Sequence, residues 1–398
     1  MEDFDIHDPD FAACPFPTLQ KLRETDPVHA SGRYGGFHLL TRYADVRAAA
    51  LNWRRYTSSV VGVTAIPVIT PRTKPQLPIE VDPPLHSAYR ALVNPTFSAA
   101  RIAELKPAVA ALASTLLANM AESGRIEAVA DYCMPLAIGT LGVFTGLPTP
   151  DAPLWRAWLD AMFDPRRPEN GKTASVEFGQ YIRDLIAKRR RTPTGDFVSL
   201  LIGAEIDGRR LSDDEVHSFV TVMFGAGFET TADAMSGALH WLSQAPTRLA
   251  WLSAHPDQIA LAAEEFFRFV SPVQIFGRNS AEDIEVHGAK IPVGRIVALG
   301  FGAANRDPEV FESPDECVLS RSPNRHVAFG AGPHLCLGAP VARLELTTTL
   351  SLLARFVTAL SPVVGDPAVW KVRGDRRGLS RLPLRISRGD AEFGAIGD

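Results

Sequence analysis

The chain of 398 residues has no run of eighteen or more apolar residues, the length a membrane-spanning helix needs. It has no excess of basic residues either. Its formal net charge is -4, which argues against general binding to nucleic acid, where a basic face must neutralise phosphates. The four cysteines, Cys14, Cys133, Cys317 and Cys336, lie far apart without CxxC pairing. That spacing disfavours a disulfide framework and a zinc site, and a small buried hydrophobe is the default reading of each. No G-x-G-x-x-G follows a strand pattern, and no cysteine cluster suits an iron–sulfur centre. There is no Ser/Gly-rich linker, internal repeat or low-complexity tract. Met1 to Asp10 is acidic and lacks the basic-then-apolar order of a signal peptide. These absences predict a cytoplasmic protein with no membrane span, built as a single domain over residues 1–398.

What is present is a 46% apolar composition, ample for a large core, and helical periodicity. Helices are expected over 17–24, 45–51, 101–120, 135–147, 153–163 and 174–190. The run Arg189-Arg190-Arg191 reads as a solvated helix end. Ser212 and Glu215 form a capping box, and Val216, Phe219, Val220 and Met223 follow at helical spacing. That pattern predicts one long helix reaching Trp241 and Leu242. Further helices are expected from Pro256 to before Ser271 and from Ala339 to Leu360. Strands are expected at 37–40, 284–286 and 291–293. The fold class is mainly α with small β-sheets. Residues 57–78, rich in proline among Val60, Val61, Val63, Ile66, Val68 and Ile69, read as an apolar lid over an apolar pocket.

Four groups of residues carry chemistry. Cys336 lies just before a helix N-terminus, within Phe329-Gly330-Ala331-Gly332-Pro333-His334-Leu335-Cys336-Leu337-Gly338. Free N–H groups and the helix dipole there favour thiolate, the metal-binding form of cysteine. Gly338 leaves room for a flat ligand against the backbone. Second, Ala226-Gly227-Phe228-Glu229-Thr230-Thr231 falls midway along the long helix, where Gly225 and Gly227 weaken the helix and invite a distortion. An ordinary helix with an exposed Glu and a carboxylate–hydroxyl pair that moves protons are equally open readings of this segment alone. Third, Glu265 and Arg268 are spaced to pair among Phe266, Phe267 and Phe269, which points to a buried ion pair. Fourth, His86 and Arg90 follow Asp82-Pro83-Pro84 at helical spacing, with surface positions as their default.

Taken together, these segments resemble the cytochrome P450 family. The Cys336 segment matches F-G-x-G-x-H-x-C-x-G at every fixed position, and Gly338-Ala339-Pro340-Val341-Ala342-Arg343-Leu344-Glu345 looks like bacterial members. Ala226 to Thr230 resembles A-G-x-[DE]-T, and Glu265 with Arg268 resembles E-x-x-R. The resemblance implies a triangular helical domain that binds haem b, with Cys336 as the proximal ligand to iron. Glu229 and Thr230 would form the acid–alcohol pair that delivers protons during oxygen activation. Ala226 and Gly227 would flank the haem, as would Phe329, Gly330 and Gly338. His86, Arg90, Arg278 and His334 would bind the propionates, and Arg321 would complete the Glu265–Arg268 network that holds the Cys336 loop. The implied reaction inserts one atom of O2 into a medium-sized hydrophobic molecule, hydroxylation foremost. Electrons would come from a separate ferredoxin or flavodoxin with its NAD(P)H-dependent reductase, docking on the Cys336 side near Arg325 and Arg343. The substrate pocket is expected from Val60 to Ile69, Met223 and Phe224, Val273 to Phe276, and Leu379-Ser380, with Arg72 or Gln274 able to hold a polar end. A haem-binding sensor or carrier, and a helical binding module without haem, are the rival readings.

Overall fold

The computed structural model describes residues 4–66, 72–147, 151–162 and 168–389. Part of the expected lid, residues 67–71, lies outside the described residues. The main core packs helices Ala99–Ser123, Met134–Thr145, Glu229–Ser243, Ile259–Val270 and Ala339–Phe356 against one another. Leu141, Phe144, Leu239, Phe266 and Leu346 are among the buried side chains where they meet.

A five-stranded sheet forms a second layer, in the order Val28–Ser31, Phe37–Leu40, Ile296–Leu299, Phe276–Ser280 and Tyr56–Thr57. Its pairings are antiparallel, except that Ile296–Leu299 runs parallel to Phe37–Leu40. A three-stranded sheet joins Val357–Pro362, Pro383–Arg388 and Arg125–Glu127. No helix among the described residues is long and apolar enough to cross a membrane.

Most helices lie where periodicity places them, and four differences have physical causes. The long helix is two, Asp213–Gly227 and Glu229–Ser243, broken at Phe228 with φ -125° and ψ -37°. The break falls just after the two glycines that weaken the helix. Its start is as expected, since Ser212 and Glu215 form the full reciprocal capping box. The last helix stops at Phe356 rather than Leu360, because residues 357–362 pair with the distant strand 383–388. The second strand of the 284–291 hairpin is Ala289–Ile291, two residues earlier than expected, after a turn at His287 and Gly288 with φ of 50° and 79°. The basic run is not simply solvated: Arg189 is buried and paired with Asp196, and Arg190 pairs with Asp213.

The cysteines also divide. Cys133 is a buried hydrophobe and Cys317 is nearly so, its thiol pushed up by burial, whereas Cys14 is exposed.

Candidate active site

The loop before Ala339–Phe356 is shaped by two close turns. Gly330 and Gly332 adopt φ of 73° and 69°, which L side chains rarely reach. A Cβ on Gly332 would also lie 2.7 Å from the Ala50 carbonyl oxygen. The Cys336 N–H donates to the Phe329 carbonyl at 2.8 Å, which closes the loop and presents the thiol. Cys336 is accessible, yet its surroundings are those of the interior, because its surface opens into an internal cavity. Burial raises its pKa. The N–H groups of Gly338 and Ala339 and the charges of Arg90 and Arg343 oppose that rise without overcoming it. The helix end therefore supplies the expected donors, but the expected net lowering does not occur, because desolvation outweighs them.

Under the loop lies the buried network anticipated around Glu265 and Arg268, both fully shielded from solvent. Arg268 donates twice to Glu265 at 2.8 Å, and also to the carbonyls of Asn305, Pro314 and Glu316. Arg321 Nε lies 3.1 Å from Glu265, and Asn324 Nδ2 donates to the same carboxylate at 3.1 Å.

The cavity that Cys336 faces has a volume of about 280 Å³. Phe329, Gly330, His334 and Gly338 border it from the loop side, and Ala226, Gly227, Thr230 and Thr231 border it from the broken helix. His86, Arg90 and Arg278 border it as well. A wider cavity of about 940 Å³ adjoins and shares Ile79, Val222, Ala226, Phe276 and Arg376 with it. At the break, the Thr230 hydroxyl donates to the Ala226 carbonyl at 3.1 Å.

Glu229 behaves differently from its expected partner role. It does not border the cavity that Thr230 borders; it is bound by Lys371 at 2.8 Å, with Arg373 at 3.9 Å. Burial works to raise its pKa, but Lys371, Arg373 and Arg376 hold the carboxyl below the usual range. Lys371 also holds Asp233 at 2.8 Å. Burial pushes Asp233 up to about 7 against the pull of Lys371, with repulsion from Glu229 adding to it. Lys371 and Asp233 carry no motif and escaped the sequence reading.

Three features of the lining suit an iron porphyrin with two carboxylate arms. The Cys336 thiol stands beside two N–H donors, yet burial keeps it from ionising unless a cation comes near. Arg278 is buried, makes no ion pair among the described residues and is pushed down to about 10 by burial. The His334 Nε2 atom is buried without a hydrogen-bond partner, 3.7 Å from Asp82, and its ring lies tilted against that of His86 with centroids 4.2 Å apart. The buried charge of Arg278 fits an anionic partner in this position.

The expected substrate-pocket residues divide. Met223, Val273 and Phe276 border the inner cavity, and Ile66, Ile275 and Arg72 the outer one. Phe224 instead packs on Trp155, Leu379 is core and Ser380 is exposed. Gln274 is buried and donates to the carbonyls of Val270 and Ser271 rather than facing a ligand. Val60 and Val61 are exposed and border neither cavity.

The family described as Cytochrome P450 matches residues 154–257 and 261–369. The chain is 33% identical to the polyketide biosynthesis cytochrome P450 PksS of Bacillus subtilis, over 97% of this chain and 99% of that protein. It is also 33% identical to a vitamin D(3) 25-hydroxylase of Pseudonocardia autotrophica, over 97% of each. The solved structure of PksS superposes with a TM-score of 0.87 at 32% identity, covering 96% of this chain and all of that one.

Proposed function

The chain belongs to the cytochrome P450 family and is a haem monooxygenase, and from that premise we propose that Cys336 would hold the iron of a haem b as thiolate and that Thr230 and Glu229 would serve proton delivery. The observation that carries this reading is a single cavity bordered by the Cys336 thiol, by the helix break at Thr230 and by His86, Arg90, His334 and Arg278, of which Arg278 makes no ion pair among the described residues. The whole of 1–398 is read as one haem domain of a cytoplasmic protein.

Cys336 would bind the iron, helped by the N–H groups of Gly338 and Ala339, which stabilise sulfur as thiolate. His86, Arg90, Arg278 and His334 would hold the propionates by charge-assisted hydrogen bonds. Ala226 and Gly227 on one side, and Phe329, Gly330 and Gly338 on the other, would border the ring. When bound, a thiolate-ligated haem activates O2 and favours O–O cleavage.

The remaining work belongs to side chains of this chain. The Thr230 hydroxyl is tethered to the helix by its bond to Ala226, so its oxygen is left to accept a proton donor within the cavity. Glu229 is held ionised by Lys371, so its part in proton delivery would be to order water by accepting hydrogen bonds rather than to store the proton itself. Phe144, Phe219, Val222 and Met223 would exclude water and seat a medium-sized hydrophobic substrate for hydroxylation. Two electrons per turnover would come from a ferredoxin or flavodoxin and its NAD(P)H-dependent reductase, docking on the side of Cys336.

Turnover with a ferredoxin and its reductase tests the proton path. Thr230→Ala should lower the share of NADH converted into hydroxylated product by roughly tenfold or more, with the balance appearing as hydrogen peroxide. Unchanged coupling would remove Thr230 from this role.

A further inference from the structure

The inner cavity is walled mostly by apolar side chains, and three arginines interrupt that lining: Arg90, Arg278 and Arg376. The first two act electrostatically on His86, at the end assigned to the propionates. Arg376 stands elsewhere, since the carboxylates it acts on are Glu229, Asp233 and Asp375. It also borders the wider cavity, so it sits where the two meet.

The position is fixed by backbone. Residue 376 forms a β-bridge with Val273, the Arg377 N–H donates to the Pro272 carbonyl at 2.8 Å, and the Gln274 N–H donates to the Asp375 carbonyl at 3.0 Å. Gly374 lets the chain pass close against Ile6, because a Cβ on it would lie 1.3 Å from the Ile6 carbonyl oxygen.

Most neighbouring cations are already paired with carboxylates. Arg373 donates twice to Asp375, at 3.2 and 3.0 Å, and Lys371 holds Glu229 and Asp233. In the wider cavity Arg72 is paired with Glu80, and Lys74 with Asp214. The Arg376 side chain makes no hydrogen bond among the described residues, and its ion pair there is a long one, 3.7 Å to Asp375, a carboxylate already engaged by Arg373. Its side chain is 20% exposed, and that surface faces the cavities it borders. Charge balance sharpens the point. Lys371, Arg373 and Arg376 are matched by Glu229, Asp233 and Asp375 when all three carboxyls are ionised, and burial raises Asp233 toward neutrality, which leaves positive charge in surplus. A guanidinium offers planar, paired donors that fit a carboxylate, and those of Arg376 are not taken up by hydrogen bonds among the described residues.

We propose that Arg376 is a specificity-determining residue that binds a carboxylate of the substrate, so that the substrate class is amphipathic organic acids with an apolar body lying toward Thr230 and Cys336. This rests on the monooxygenase reading above.

The test uses the haem-loaded protein at neutral pH and two probe pairs, dodecanoate with its methyl ester and 2-naphthylacetate with its methyl ester. Binding is measured by isothermal titration calorimetry on wild type, Arg376→Leu and Arg376→Lys. In the wild type at least one acid should bind roughly tenfold or more tighter than its ester. Arg376→Leu should abolish that preference while leaving the ester within about threefold of its wild-type affinity, and Arg376→Lys should retain part of it. An ester that binds as tightly as its acid, an equal loss for both in Arg376→Leu, or no binding of either acid would each overturn the proposal. The carbon monoxide spectrum of the same samples separates the two levels: if the thiolate-type band is missing, the monooxygenase reading fails, and if it is present, calorimetry judges the anchor alone.

Discussion

Removing the Arg268 side chain should be among the most damaging single changes available in this protein. The guanidinium is fully buried and makes five hydrogen bonds, two to Glu265 at 2.8 Å and three to the carbonyls of Asn305, Pro314 and Glu316 at 2.9, 2.7 and 2.7 Å. Arg268→Ala strands a carboxylate with no exposed surface, and it strands three carbonyls that order the segment leading to the Cys336 loop. Breaking a buried pair from one side costs about 3–5 kcal/mol. Arg321 and Asn324 still contact Glu265 at 3.1 Å, which limits the damage and places the loss near 4 kcal/mol. That is a large share of a total stability of about 5–15 kcal/mol. Arg268→Lys should fall between, since one ammonium cannot replace a fork of donors. Urea unfolding followed by tryptophan fluorescence, with haem retention measured alongside, reads both effects. A loss within about 1 kcal/mol, the scale of an exposed pair, would refute the claim that this network carries the loop.

The Asp233 carboxyl titrates near 7 in the folded protein against about 3.9 in an unfolded chain. A raised pKa gives stability that is present below the unfolded value and lost as pH rises through the folded one. Asp233→Asn lacks this loss, so its stability relative to wild type should improve between about pH 4 and 7 and level off above; a flat or opposite trend in urea midpoints would contradict the assignment. Gly277→Ala should cost about 2 kcal/mol or more, because its Cβ would lie 1.8 Å from the Val63 carbonyl oxygen and one of the two segments must move. A thermal unfolding midpoint equal to wild type would mean that the approach is looser than described.

What was legible in the sequence was local. The capping box at Ser212 and Glu215, the glycine-weakened helix that breaks at Phe228, and the glycine loop carrying Cys336 each announce themselves within a few residues. The burial of Glu265 and Arg268 was readable from the phenylalanines around them. What escaped depends on residues far apart in the chain. Lys371 meets Asp233 and Glu229 across 138 and 142 positions, so no spacing announces the contact. Arg376 enters the cavity through a bridge to Val273. The three-stranded sheet pairs the strand near 384 both with residues near 126 and with residues 357–362, and the second pairing cuts the last helix short at Phe356 where periodicity alone would extend it. Phe224 sits on the same helix as Met223 but faces Trp155, because adjacent helical residues point about 100° apart.

The central claim, that Cys336 ligates a haem iron as thiolate, is tested most directly by the carbon monoxide difference spectrum of the dithionite-reduced protein beside Cys336→Ala. A strongly red-shifted Soret band in the wild type that is absent from the variant is the predicted result. A haem band without that shift in the wild type, or the same shifted band in both proteins, would contradict it.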